Sequence, residues 1–250
     1  MRIALIRKRT VKRLLFALIL LILFSITFYM FMSGIILFNN PSKSKYPVRG
    51  VDVSHYQGDI DWDTLVNQGI DFAFIKATEG SSHVDKKFAT NWEEASQTDI
   101  VIGAYHFFSF ESSGLTQAEN FIKTVPLTES TLPPVVDLEF YGKFSNEPPE
   151  SATVRTELEK FINALEKHYG KKVIIYTTQS AYKLYIENFF NNNPLWIRSV
   201  YTRPNIPDNR QWTFWQYSDR GRLNGYEGVE RFIDLNVFNG SREEFADFCR

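Results

Sequence analysis

Short apolar runs alternate with helical patterns from Arg49 to the end of the chain. Eight runs rich in Val, Ile, Phe and Tyr predict strands, at residues 49–56, 70–80, 100–110, 133–140, 171–178, 194–200, 213–218 and 231–238. Five helical stretches follow the first five runs, at residues 62–68, 86–97, 116–123, 151–169 and 181–190. Repeated strand–helix units are right-handed and parallel, and eight strands can close on themselves. We therefore predict an α/β fold, a TIM-like (β/α)5β3 barrel with reacting groups at the C-terminal ends of its strands.

The chain begins with a basic segment, residues 1–13, followed by an uncharged apolar stretch at residues 14–38. The stretch is long enough to span a bilayer and longer than the roughly 7–15 apolar residues of a signal peptide. No A-x-A-like cleavage site is evident, which favours an uncleaved transmembrane anchor over a cleaved signal. Six flanking cations predict a cytoplasmic N-terminus in the cell membrane, with the remainder on the extracytoplasmic side. Residues 39–48 are then a linker and 49–250 one folded domain.

Composition narrows the partners of residues 49–250. This part carries 20 Lys and Arg against 29 Asp and Glu, because eight of the 28 cations lie in residues 1–48. Such an acidic domain is poorly suited to nucleic acid, so we expect no nucleic-acid partner. The single cysteine, Cys249, cannot form an internal disulfide, so the core alone must stabilise the domain. We expect a monomer.

Two acids interrupt the apolar run PPVVDLEF, residues 133–140. In a strand, residues two apart share a face, so Asp137 and Glu139 point the same way. Their Cα atoms would be roughly 6–7 Å apart, at ~3.3 Å per residue, and the carboxylates would repel each other. At least one pKa should therefore be raised, which is what a general acid requires.

Further acids and aromatic residues fall on the other predicted strands, so a barrel would bring them to one rim. They are Asp52, Glu79, Tyr105, Tyr176, Trp196, Trp215 and Asp234. Carboxylates among aromatic faces suit sugar hydrolysis, which needs a proton donor, an anion to stabilise the oxocarbenium-like state, and flat surfaces for sugar rings. A single aspartate in a strand is also often structural, and that alternative stays open for Asp52 and Asp234.

Metal and cofactor chemistry find little support in the sequence. The four histidines stand apart without metal-ligand spacing, and there is no P-loop, nucleophile elbow or G-x-G-x-x-G motif. We therefore expect no metal and no cofactor. His106 favours a hydrogen-bonded core position over a catalytic one, and Lys76 favours an ion pair with an acid.

Several of these runs together resemble glycoside hydrolase family 25, the lysozymes of the N-acetylmuramidase type. The most specific segments are DVSHYQG (52–58) and FIKATEG (74–80), and GAYHF, VVDLE, LWI, WQYS and IDLNVFNG follow in the family's order. The resemblance spans Gly50 to about Gly240. It implies a flattened barrel that cleaves the β-1,4 bond from N-acetylmuramic acid to N-acetylglucosamine in peptidoglycan.

The resemblance also implies roles for individual residues. Glu139 looks like the general acid and Asp137 like the residue that orients the substrate's N-acetyl group. Asp52 and Asp234 look like the remaining acids of the site. Sugar contacts would come from Tyr105, Tyr176 and Trp215.

The sequence departs from the family's usual pattern at three positions. His83 stands where the family usually has an aromatic residue or leucine, and Arg198 and Val200 stand where it more often has alanine and tyrosine.

Two other functions stay open: a catalytically silent peptidoglycan-binding module, and a glycosidase of another N-acetylated glycan. Retention of the anomeric configuration, assisted by the substrate's acetamide, is preferred over inversion, which sequence spacing alone does not exclude.

Overall fold

The structure, a computed structural model, describes residues 2–128, 131–208 and 210–250, with side chains described from residue 11 onward. It divides into two compact units, Met1–Leu37 and Phe38–Arg250. Four of the six predicted flanking cations (Arg2, Arg7, Lys8 and Arg9) lie outside the part with described side chains.

The first unit contains one long helix, α1 (Arg2–Met32). Its stretch Val11–Met32 is apolar enough and long enough to cross a membrane, with a mean hydropathy of 2.7. The predicted apolar anchor extends to residue 38, whereas the helix ends at Met32. Gly34, in the turn that follows, has a φ of +70°, a conformation that glycine adopts without strain.

In the second unit, eight strands close into a barrel, as the alternating sequence pattern predicts. The strands are β1 (Arg49–Val53), β2 (Phe72–Glu79), β4 (Val101–Phe107), β5 (Val135–Leu138), β6 (Ile174–Thr178), β7 (Leu195–Arg198), β8 (Phe214–Gly221) and β9 (Ile233–Phe238). Those from β1 to β8 run parallel in the order β1, β2, β4, β5, β6, β7, β8, and β9 closes the barrel antiparallel to both β8 and β1. A short β3 (His83–Val84) extends β2 as a hairpin outside this ring.

Helices follow the first strands, close to their predicted positions. They are α2 (Trp62–Asn67), α3 (Phe88–Ala95), α4 (Gly114–Thr124), α5 (Ser151–Tyr169) and α6 (Gln179–Ala181), which continues as a π-helical segment, Tyr182–Ile186. The longest, α5, begins at a Glu150 side-chain cap and ends at Gly170, whose φ of +68° suits the left-handed helix stop. Its buried residues recur at helical spacing and pack towards the barrel.

A final helix, α7 (Arg242–Cys249), is present that the sequence pattern did not predict. Ser241 and Glu244 form a capping box at its start. Its residues Phe245 and Cys249 are buried in the apolar cluster that fills the barrel. Because only these two of its residues are buried, apolar residues recur too rarely along the helix to predict it from the sequence.

Residues 39–48, predicted as a linker, pack along the barrel instead; we call this segment the strap. The Nδ2 atom of Asn39 donates to the carbonyl oxygen of Ser199 at 2.9 Å, and Asn39 is buried. Tyr46 is also buried, with its ring 5.7 Å from Trp212 between centroids. The strap covers part of the wall formed by the last strands, which in the described residues no helix follows until α7.

Candidate active site

A cleft of about 390 Å³ opens at the C-terminal ends of the barrel strands. The four predicted acids line it together, although they come from three different strands and from the residue after one of them. Seven of the nine predicted site residues are in its lining: Asp52, Asp137, Glu139, Asp234, Tyr105, Tyr176 and Trp196. The barrel therefore brings together residues separated by up to about 180 positions in the chain.

Asp52 and Asp234 face each other across neighbouring strands, as paired residues of β1 and β9. Burial raises the pKa of both carboxyls, and that of Asp234 is raised well above its usual value with a further contribution from the charge of Asp52. Asp52 is better compensated because it accepts hydrogen bonds from the amides of Asn236, at 2.6 Å, and Gln216, at 3.0 Å. The pair thus favours a proton on Asp234 and a negative charge on Asp52.

Two buried aromatic residues hold the amides that support Asp52. The indole of Trp196 donates to Oδ1 of Asn236 at 2.8 Å, which leaves Nδ2 of that amide directed at Asp52. The hydroxyl of Tyr176 donates to Oε1 of Gln216 at 3.0 Å in the same manner. Sequence reasoning missed Asn236 and Gln216, although each lies on a strand at an inward-facing position of the two-residue period.

Asp137 lies on β5 and is only 7% exposed. Its Oδ1 atom is shielded from solvent and has no hydrogen-bond partner in the described part of the chain. Burial, followed by the neighbouring charge of Glu139, raises its pKa well above the usual value. An uncharged Asp137 is therefore favoured, because burial and the charge of Glu139 outweigh the opposing positive charge of Lys76.

Glu139 directly follows β5 and is less buried than Asp137. Burial raises its pKa as well, and the charge of Asp52 adds to the increase. The positive charges of Arg198 and Lys76 oppose it. Asp137 and Glu139 thus both have a raised pKa, whereas the sequence analysis predicted a raised pKa for at least one of them.

The aromatic floor of the cleft is continuous with the barrel core. Tyr176 and Trp196 belong to the buried apolar cluster, and their rings meet edge to face with centroids 4.5 Å apart. Phe74 stacks beneath Trp196 at 4.4 Å. Tyr105 packs against the same cluster and is more exposed. The floor is therefore rigid, since its rings are held by packing on one side and by hydrogen bonds on the other.

Two predicted binding residues do not reach the cleft. Trp215 is 1% exposed, and its indole donates to the carbonyl of Ser199 at 2.9 Å on the outer side of β8. The reason is the strand alternation, which turns Gln216 inward and its neighbour Trp215 outward. Glu79 is absent from the cleft lining and instead pairs with Lys76 at 2.7 Å, so Lys76 is the member of that pair that faces the cleft.

The structure places His106 away from the cleft, in the core that the sequence favours for it. It is fully buried between Thr78, at 2.7 Å, and Gln117, at 2.9 Å. Burial lowers its pKa to about 4, so the ring is neutral at neutral pH. His83, one of the departures from the family pattern, is exposed on β3.

Comparisons with a family model, a solved structure and a characterised relative all point to the same family. The family model described as "Glycosyl hydrolases family 25" matches residues 51–226. A solved structure described as a family 25 glycosyl hydrolase from Bacillus anthracis is 53% identical, covering 86% of this chain and 98% of that chain, with a TM-score of 0.81. Lysozyme M1 of Streptomyces globisporus is 35% identical, covering 78% of this chain and 68% of its own length.

A third relative, the N,O-diacetylmuramidase of Chalaropsis sp, is 29% identical over 77% of this chain and 96% of its own length. The shared barrel, the family match and the identity to the first two relatives all agree with the family suggested by the sequence motifs. The chain therefore belongs to the family 25 glycosyl hydrolases and is a glycoside hydrolase.

Proposed function

We propose that this hydrolase cleaves the β-1,4 bond between N-acetylmuramic acid and N-acetylglucosamine in peptidoglycan. The observation that carries the proposal is the set of four carboxyl groups, Asp52, Asp137, Glu139 and Asp234, around one open cleft with an aromatic floor. The lysozyme and muramidase relatives support peptidoglycan as the substrate class.

In the proposed mechanism, Glu139 donates its proton to the glycosidic oxygen as the bond from that oxygen to the anomeric carbon breaks. Its raised pKa supports this role, because a general acid must hold a proton at the working pH. The carbonyl oxygen of the substrate's acetamide attacks the same carbon and forms a cyclic intermediate. Water then opens the ring and returns a proton to Glu139, so the configuration is retained.

Asp137 is the partner we propose for that acetamide. A carboxyl group in contact with the acetamide N–H would orient its carbonyl towards the anomeric carbon and stabilise the charge that develops there. The acetamide N–H would in turn give this poorly compensated carboxyl a hydrogen bond. The negative charge on Asp52, held by two amides, would stabilise the oxocarbenium-like state from another side of the ring.

Mass spectrometry of the fragments released from purified peptidoglycan tests the bond. We expect N-acetylmuramic acid at the new reducing ends; N-acetylglucosamine there would contradict the proposal. Proton NMR of the first-formed anomer tests the route, and an inverted product would exclude acetamide attack. Binding without release of any fragment would favour the silent peptidoglycan-binding module instead.

Glu139→Gln tests the proton donor. The substitution keeps the shape of the side chain and removes its proton, so we expect peptidoglycan binding to persist while turnover falls at least about a hundredfold. Lys143→Ala, at an exposed lysine paired with Glu111, is a matched surface control and should leave the rate unchanged. A near-normal rate in Glu139→Gln would show that another residue donates the proton.

A further inference from the structure

An ion pair stands at the mouth of the cleft. Arg198 is the last residue of β7, and its Nη2 atom lies 2.8 Å from Oδ2 of Asp219 on β8. Their side chains are 33% and 35% exposed, so water reaches the pair from one side. Of the two, Asp219 lines the cleft. The pair is therefore at the boundary between the acidic recess and solvent.

Strand register puts Arg198 at the same level of the barrel as Glu139. Strand β5 pairs with β6 at Leu138 and Thr177. Strand β6 pairs with β7 at Thr178 and Arg198. Since Glu139 follows Leu138, it lies in the same layer as Arg198, two strands away. At ~4.8 Å per strand, their backbones are about 10 Å apart, within the combined reach of the two side chains.

Side-chain direction agrees with that register. Glu139 shares a face with Asp137, and Arg198 shares a face with Trp196, because residues two apart on a strand point the same way. Asp137 and Trp196 both line the cleft. The guanidinium and the Glu139 carboxyl thus approach the same mouth from opposite sides of β6.

Every barrel element around Glu139 contributes a titratable or charged group. They are Asp52 of β1, Lys76 of β2, Tyr105 of β4, Asp137 of β5, Tyr176 of β6, Arg198 of β7, Asp219 of β8 and Asp234 of β9. Only two of these groups are cations. Each is paired with an acid that offsets part of its charge, Lys76 with Glu79 and Arg198 with Asp219. Asp219 also lies 3.9 Å from a second guanidinium, that of Arg220. Changing either ion pair would change the net charge that Glu139 experiences.

We propose that Arg198 and Asp219 form a charge balance that sets the pH range over which Glu139 donates its proton. This inference rests on the proposed function of Glu139. Arg198 acts as a positioning residue through its field, and Asp219 holds the guanidinium at the mouth and offsets part of that field.

Two substitutions should move the pH profile in opposite directions. Arg198 lowers the pKa of Glu139 against the effect of burial, so Arg198→Ala should raise that pKa. The alkaline limb of kcat/KM on peptidoglycan should then move up by about one pH unit, as expected for a unit charge roughly 10 Å away at an effective dielectric of about 20. Asp219→Asn leaves the guanidinium uncompensated and should move the limb down.

Several controls separate this effect from a loss of structure. Arg198→Lys keeps the charge and should restore the wild-type profile, whereas Arg198→Gln keeps much of the volume and should behave like Arg198→Ala. Arg203→Ala removes an exposed arginine outside the cleft lining and should leave the profile unchanged. The shifts should shrink at high salt, because the pair is partly exposed.

The carboxyl carbon of Glu139, followed by NMR in glutamate-labelled protein and assigned with Glu139→Gln, gives a readout that does not need turnover. Its titration should move up in Arg198→Ala and down in Asp219→Asn. Equal titration midpoints in wild type and both variants would overturn the inference, even if the enzyme cuts peptidoglycan as proposed. Shifted midpoints without any bond cleavage would support the charge balance and count against the proposed function alone.

Discussion

At the scale of single residues, the cleft combines two differently stabilised carboxyl pairs. Asp52 accepts hydrogen bonds from amides and Asp234 favours its protonated form, whereas Oδ1 of Asp137 has no hydrogen-bond partner among the described residues. Ionising a buried acid with little compensating charge costs free energy in the folded protein, whereas the same acid ionises at its ordinary pKa in the unfolded chain. The site therefore costs stability wherever the unfolded carboxyl would be charged.

Asp137→Asn should consequently stabilise the protein in a pH-dependent way. The pKa of Asp137 is raised in the folded protein. The folded wild type therefore loses stability as pH rises from the pKa of the unfolded aspartate, about 4, towards the pKa in the folded state. Asparagine cannot ionise. The free energy of unfolding of the variant, relative to wild type, should therefore be higher at pH 7 than at pH 3 by about 1–3 kcal/mol, while activity falls. Urea unfolding at both pH values measures this difference.

Glu119→Gln, at an exposed glutamate of α4, is the matched control and should show almost no such pH-dependent gain. A constant difference between Asp137→Asn and wild type across this pH range would mean that Asp137 ionises in the folded protein as readily as in the unfolded one.

The sequence predicted the acids of the site better than their supports. Asp137 and Glu139 were detectable because charges inside an apolar run are unusual. Gln216 was overlooked beside the more conspicuous Trp215, although the alternation of a strand allows only one of two neighbours to face the cleft. Which of the two turns inward depends on the register with Asn236 of β9, and register is a property of the closed barrel.

At the scale of elements, the strap is the main departure from the sequence prediction. Residues 39–48 are polar and contain proline, a composition typical of a linker. Only their tertiary contacts make them part of the fold: Tyr46 packs on Trp212 and Trp215, and Arg49 donates to the carbonyl of Pro41. The eight strands of the barrel were predictable because their apolar pattern is local. The strap was not, because its partners are distant in sequence.

Tyr46→Ala measures what the strap contributes to stability. The ring is buried against two tryptophans, so its loss should lower the free energy of unfolding by about 3–5 kcal/mol. Ser44→Ala, at an exposed position of the same segment, should change it by less than about 0.5 kcal/mol. Equal urea midpoints for the two variants would mean that the strap behaves as the free linker that its composition suggests.

At the scale of the whole molecule, we propose that α1 is an uncleaved anchor and that the hydrolase domain, a monomer, acts outside the cell membrane. The apolar length of Val11–Met32 and the six cations among residues 2–13 support this arrangement. Only residues 33–37 separate the end of α1 from Phe38, where the second unit begins. An anchored enzyme would then cut only the wall near its own insertion point.

Release from the membrane should therefore increase damage to the wall. A variant in which a cleavable signal replaces residues 1–37 should be found in the soluble fraction and should cause faster loss of culture turbidity than the full chain at equal expression. The full chain should stay with the membranes after alkaline carbonate washing, and its mass should include the N-terminal segment. Recovery of a shortened, soluble protein from the full-length gene would identify residues 1–37 as a signal sequence. If neither form reduces culture turbidity more than the inactive Glu139→Gln control, something other than anchoring restrains the enzyme.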